Sequence, residues 1–172
     1  IAQCLVGSEM CIRDRMKIIA TGCALGFLKE IVNRDFVGIA ARDEEKMTIG
    51  NRTLRFMFVP NLHWPDTMYT FIEEEQILVT CDSFGSHYCL PEVVSTEIRN
   101  EEDYQKALKY YYDCIIGPFK PFMLKALDRV EKMDISMICT GHGPVLVGDR
   151  IKAVMRPVSY THLRAHETLS DV

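Results

Sequence analysis

Between residues 17 and 155 the apolar positions change period several times, and each change predicts a boundary between elements. Lys17–Thr21 is a short apolar run that reads as a strand, followed by a helix over about Ala24–Val32 and a further strand at Phe36–Ala40. Met47–Ile49 and Thr53–Val59 flank Gly50-Asn51-Arg52, a turn signal between two β-like runs. Thr67–Ile72 and Ile77–Cys81 flank Glu73-Glu74-Glu75-Gln76, which reads as a charged, solvated hairpin tip.

After Asn100 the period becomes helical. Asn100 is a good N-cap with acidic residues in the first turn behind it, and Tyr104, Ala107, Leu108, Tyr111 and Ile115 fall on one face. Pro118 and Pro121 interrupt that face, and Pro121 opens a second helix reaching about Met133. Ile135–Thr140 is expected as the last buried strand, ended by Gly141-His142-Gly143-Pro144, with a charged helical segment at Asp149–Met155. Strand hairpins with interspersed helices predict an α/β domain, a sheet packed against helices.

Both ends differ from this middle. Ile1–Arg15 and Pro157–Val172 show neither alternation nor a helical period and resemble translated sequencing-adaptor read-through. The expected organisation is therefore a foreign tail at 1–15, a domain at 16–156 and a foreign tail at 157–172.

Composition narrows the functions. The chain has 172 residues, 20 basic against 24 acidic, with the basic residues scattered, which argues against a nucleic-acid or anionic-membrane partner. No apolar run approaches a membrane span, and Ile1–Arg15 lacks the pattern of a signal peptide. Seven cysteines at irregular spacing, with no Cys-x-x-Cys, point to reduced thiols in a cytoplasm rather than to a disulfide framework or a structural zinc site.

Three side chains capable of holding a metal stand just beyond apolar strands: His63 after Thr53–Val59, Asp82 after Ile77–Cys81, and His142 after Ile135–Thr140. Strand ends are rigid while the following loops shape pockets. A neutral imidazole donates through one nitrogen, and the two oxygens of a carboxylate can bridge two cations. Taken singly, each of these residues is more often a hydrogen-bonded structural histidine or a turn-forming aspartate.

Their order and surroundings resemble a family. The strings Leu62-His63-Trp64-Pro65-Asp66-Thr67, Cys81-Asp82-Ser83-Phe84-Gly85-Ser86-His87-Tyr88 and Thr140-Gly141-His142-Gly143-Pro144 are similar to the β-lactamase-like domain of flavodiiron proteins, the A-type flavoproteins. The resemblance covers about Lys17–Met155. It implies a metallo-β-lactamase-like αββα sandwich truncated at its N-terminal half. It also implies a non-heme di-iron centre in which His63 binds one iron, Asp82 bridges both and His142 binds the other.

The implied activity is that of an oxidoreductase reducing oxygen to water or nitric oxide to nitrous oxide. FMN in a flavodoxin-like domain and a rubredoxin-like or other electron donor would feed the irons, in a head-to-tail homodimer. The family's other four ligands, in a His-x-Glu-x-Asp-His motif, and the flavodoxin-like domain have no counterpart in this sequence, so this piece alone is expected to be inactive. The alternative is a dizinc hydrolase of the same fold cleaving a thioester or lactam, in which the metal activates water.

Other candidates read more plainly. His87, five residues after Asp82, is either a supporting partner of the site or, the preferred reading, a loop histidine, and His162 with His166 is a chance pair in the foreign tail. Trp64 would wall a pocket or join the core, and Cys81 would be a buried, inert thiol. Tyr110, Tyr111 and Tyr112 cannot share one helical face; Tyr111 suits the core, and its neighbours a dimer surface.

Overall fold

A computed structural model describes residues 17–32 and 35–156. Both expected tails, and His162 with His166, lie outside the described residues.

The first unit is a strand–helix–strand crossover. β1 (Lys17–Ala20) and β2 (Val37–Ala40) pair in parallel, Lys17 opposite Val37 and Ala20 opposite Ala40, joined by α1 (Gly22–Ile31). α1 begins two residues earlier than the apolar period suggests. The reason is Thr21, whose hydroxyl accepts from the Ala24 amide at 3.1 Å and satisfies one of the helix's free donors.

The second sheet has six strands in sequence order: β3 (Lys46–Ile49), β4 (Arg52–Phe58), β5 (Met68–Ile72), β6 (Ile77–Cys81), β7 (Met137–Thr140) and β8 (Leu146–Val147). β3 to β6 form an antiparallel meander. The β3–β4 turn is Gly50-Asn51, with Gly50 at φ +62° as so tight a turn demands. β7 then returns parallel to β6, which requires a long crossover.

That crossover is helical: α2 (Glu101–Tyr111), a π-helical turn (Tyr112–Ile116), a 3-10 turn (Gly117–Phe119) and α3 (Lys120–Val130). Asn100 caps α2 as expected, accepting from the Asp103 amide at 3.2 Å. A fourth helix, α4, spans 149–156. The core forms where Tyr69, Leu78, Ile138 and Leu146 of the sheet meet Tyr104, Met123 and Val130 of the helices, all fully buried.

Four expectations need correction. β7 is not the last strand: β8 adds antiparallel to it, and two residues are too few to show a period. The π-helical turn inserts one residue, so Ile116 at 1% exposure takes the core place expected of Ile115. The same insertion buries Tyr112 beside Tyr111 and leaves only Tyr110 exposed, so Tyr112 joins the core rather than a dimer surface.

The acidic hairpin tip is tied down rather than simply solvated. Glu73 pairs with Lys46 at 2.7 Å, Glu75 pairs with Arg52 at 2.6 Å, and Glu74 accepts from the Thr53 amide at 2.7 Å.

Candidate metal centre

Topology brings the three candidates together. β4 is antiparallel to β5 and β5 to β6, so β4 and β6 run the same way, and β7 is parallel to β6. All three strands therefore end at one edge of the sheet. Cys81 lies opposite Thr140, which sets Asp82 and His142 in adjacent loops. His63 follows on the loop after β4, one strand away.

At that edge Asp82 stands between the two imidazoles. His63 Nε2 is 3.2 Å from Asp82 Oδ2, and His142 Nε2 is 3.1 Å from Asp82 Oδ1. The Asp82 side chain is 21% exposed, against 28% for His63 and 50% for His142. The site is thus an open rim, deepest at the carboxylate.

Backbone hydrogen bonds hold each loop. The Trp64 carbonyl accepts from the Asn61 amide at 2.8 Å and from the Thr67 amide and hydroxyl at 3.2 and 2.8 Å, closing the loop around His63. Leu62, fully buried, anchors it from below. Beside Asp82, the Thr80 hydroxyl donates to the Ser83 carbonyl at 2.9 Å and the Gly85 amide to the Asp82 carbonyl at 3.2 Å. The His142 carbonyl accepts from the Thr140 hydroxyl at 2.9 Å and the Ser86 amide at 3.1 Å, and the Gly141 amide donates to the Cys81 carbonyl.

The donor set fits half of a two-cation site. Two donors each about 2.1 Å from one cation, at roughly right angles, lie about 3 Å apart. The two histidine–carboxylate spacings are of that size, one on each oxygen of Asp82. Among the described residues no group of three or more His, Cys, Asp or Glu side chains closes round a single point. Such spacings would let His63, Asp82 and His142 serve as donors to a pair of cations.

Aromatic rings frame the site unevenly. The His63 ring centroid is 5.7 Å from that of Trp64 and 6.3 Å from that of Phe119. Trp64 is 62% exposed, so it stands at the rim and not in the core. On the other side Tyr111 and His87 lie 5.8 and 5.6 Å from the His142 ring. His87 is an exposed loop residue whose ring also lies beside His142. Five residues separate it from Asp82, and the tight turn at Gly85 that folds it back was the only sequence signal available. Burial, and then the charge of Asp82, hold the Tyr111 phenol far above its ordinary value.

Cys81 departs from expectation. It is exposed as a residue and adopts φ +52°, turning the chain so that Asp82 faces inward. Partial burial of its thiol, and then the charges of Asp82 and Asp66, push its pKa above the ordinary thiol value. Among the described residues Cys23, Cys81, Cys89, Cys114 and Cys139 are free thiols, and no helix is long and apolar enough to cross a membrane.

Known proteins resemble this chain in sequence and fold. The family model for the ODP family beta lactamase matches residues 1–143. Flavo-diiron protein FprA2 of Clostridium acetobutylicum is 37% identical over 147 residues, covering 84% of this chain and 37% of that protein. The crystal structure of the flavodiiron protein from Giardia intestinalis superposes with a TM-score of 0.79 at 28% identity, over 87% of this chain and 38% of that one. The rubredoxin oxygen:oxidoreductase of Desulfovibrio gigas shares the fold, with a TM-score of 0.78 at 24% identity over 88% of this chain and 39% of that one. The chain thus spans little more than a third of the length of these proteins. It belongs to the ODP beta-lactamase family, with the metallo-β-lactamase-like α/β fold of the flavodiiron proteins.

Proposed function

We propose that this chain supplies part of the non-heme di-iron centre of a flavodiiron oxidoreductase that reduces oxygen to water or nitric oxide to nitrous oxide. The observation that carries the reading is Asp82, whose two oxygens each lie within 3.2 Å of a different histidine, in sequence strings that resemble those of that family. In this reading His63, Asp82 and His142 would hold the two irons. Iron bound there supplies Lewis acidity and electrons to a diatomic substrate.

The chain's own residues set the stage for that chemistry. The Asp82 carboxylate offsets part of the charge of two cations while leaving other positions open. The exposed Trp64 ring stands beside His63 at the rim, and the buried Tyr111 ring backs His142. FMN in a flavodoxin-like domain, facing the irons across a head-to-tail homodimer, would deliver electrons from a rubredoxin-like donor in the cytoplasm. The Desulfovibrio gigas neighbour, a rubredoxin oxygen:oxidoreductase, is consistent with such a donor.

Metal analysis with turnover tests this. The full-length protein, with flavin reduced, is expected to carry two irons per subunit and to consume oxygen or nitric oxide. Stoichiometric zinc with hydrolysis of a thioester or lactam, and no gas consumption, would replace this reading with the dizinc hydrolase.

A further inference from the structure

We infer that His87 is a positioning residue that fixes the ring of His142 against Asp82; the inference rests on the metal-centre reading above. His142 needs such a support. Its neighbours Gly141 and Gly143 add no side chains to restrain it, and half of its own side chain is exposed. His63 differs, since its loop is closed by three hydrogen bonds to one carbonyl.

The support reaches His142 from the core by two routes, directly from Tyr111 at 5.8 Å in a tilted contact, and through His87 in perpendicular ones. Tyr111 is 2% exposed within α2. The His87 ring stands edge-on to Tyr111, with centroids 4.8 Å apart and planes at 85°. His142 in turn stands edge-on to His87, at 5.6 Å and 88°. The Ser86 amide donates to the His142 carbonyl, so the backbones of the two histidines are held in register one residue away from the ring contact. Perpendicular ring pairs of this kind are favoured by the quadrupoles of the rings and restrict rotation of the outer one. The remaining contact of the His142 ring is with Asp82, whose Oδ1 is 3.1 Å from Nε2.

In this arrangement the ring of His87 does the positioning, not its nitrogens. Ligand-orienting neighbours of this sort change metal affinity by about 10–100-fold when removed. The test compares His87→Phe, which keeps a ring, with His87→Ala and His87→Gln, which do not. Because His87 is exposed, all three variants are expected to fold, as a thermal melt will report.

The first readout is independent of metal. In the full chain carrying isotope-labelled histidine, proton–proton contacts between His142 and Tyr111 are expected in wild type and His87→Phe, and lost in His87→Ala and His87→Gln. The second readout is cobalt(II) retention against a chelator in the full-length protein. One of two cobalt ions is expected to leave about tenfold faster in the ringless variants, and at the wild-type rate in His87→Phe. Unchanged ring contacts in His87→Ala, or equal losses in His87→Phe and His87→Ala, overturn the inference. A wild-type protein that binds no cobalt, yet loses its His142 ring contacts on His87→Ala, counts against the proposed function and still supports the positioning role.

Discussion

Gly143 lies against Ser86 with no room for a side chain between them: a Cβ on Gly143 would stand 2.4 Å from Ser86 Oγ and 2.6 Å from the Ser86 carbonyl oxygen. Ser86 is 1% exposed and cannot retreat, and Gly143 adopts φ +85°, where a side chain is strained in any case. Gly143→Ala is therefore expected to cost about 2–4 kcal/mol, the sum of backbone strain and overpacking. Gly50→Ala isolates the first part, because Gly50 has φ +62° and nothing within 4 Å; about 1–2 kcal/mol is expected there. Urea denaturation of the two variants measures the difference. Equal losses would mean that the loop bearing His142 is free to shift.

In the proposed centre Asp82 would serve both cation positions, one through each oxygen, so its charge should matter to both. Asp82→Asn keeps the shape and leaves the fold standing, since no hydrogen bond of the core depends on that carboxylate. In the full-length protein both equivalents of bound metal are expected to weaken by more than tenfold, whereas His63→Gln should weaken mainly one. Calorimetric titration with iron(II) under anaerobic conditions separates the patterns. Loss of a single equivalent in Asp82→Asn would show that the carboxylate does not bridge.

Much of this centre was legible in sequence because strand ends announce themselves. Thr53–Val59, Ile77–Cys81 and Ile135–Thr140 are apolar runs that stop at a metal-competent residue, and the structure ends β4, β6 and β7 within three residues of those limits. What the runs do not encode is direction. Only the parallel pairing of β6 with β7, made possible by the helical crossover, puts His142 beside Asp82. The π-helical turn was equally hidden, because an inserted residue leaves no mark on composition, yet it moves Ile116 and Tyr112 into the core. The place of the His87 ring was hidden for a related reason: its contact with Tyr111 joins a loop to a helix, and no local period reports such a meeting.

Three buried phenols make the fold sensitive to alkali. Burial raises the pKa of Tyr104 to about 12, and raises Tyr69 and Tyr111 further, chiefly by the same cause. In the unfolded chain all three ionise near pH 10. The folded state therefore holds more protons above that pH, and stability falls as pH rises. The contribution is complete below about pH 10 and is lost as pH climbs towards the folded values, each tyrosine adding a slope of about 1.4 kcal/mol per pH unit. Urea midpoints should be level between pH 7 and 9 in this respect and drop steeply between 10 and 12. Tyr104→Phe should make that drop shallower by one proton. An unchanged slope in the variant would show that Tyr104 ionises within the folded protein.

One hydroxyl ties the first sheet to the loop bearing His63. Thr21 Oγ1 accepts from the Ala24 amide at 3.1 Å, capping α1, and donates to the Asp66 carbonyl at 3.2 Å. Thr21 is 5% exposed, so water cannot readily replace either bond. Thr21→Val has nearly the same shape and loses both; about 1–2 kcal/mol is expected, from the cap and the unsatisfied carbonyl. Thr21→Ser retains both bonds and should stay close to wild type. Amide exchange distinguishes this tie from simple loss of the cap. In Thr21→Val, faster exchange is expected at Ala24 and also at Thr67, whose amide donates to the Trp64 carbonyl in the same loop. Faster exchange at Ala24 with Thr67 unchanged would show that the His63 loop holds its shape without help from the first sheet.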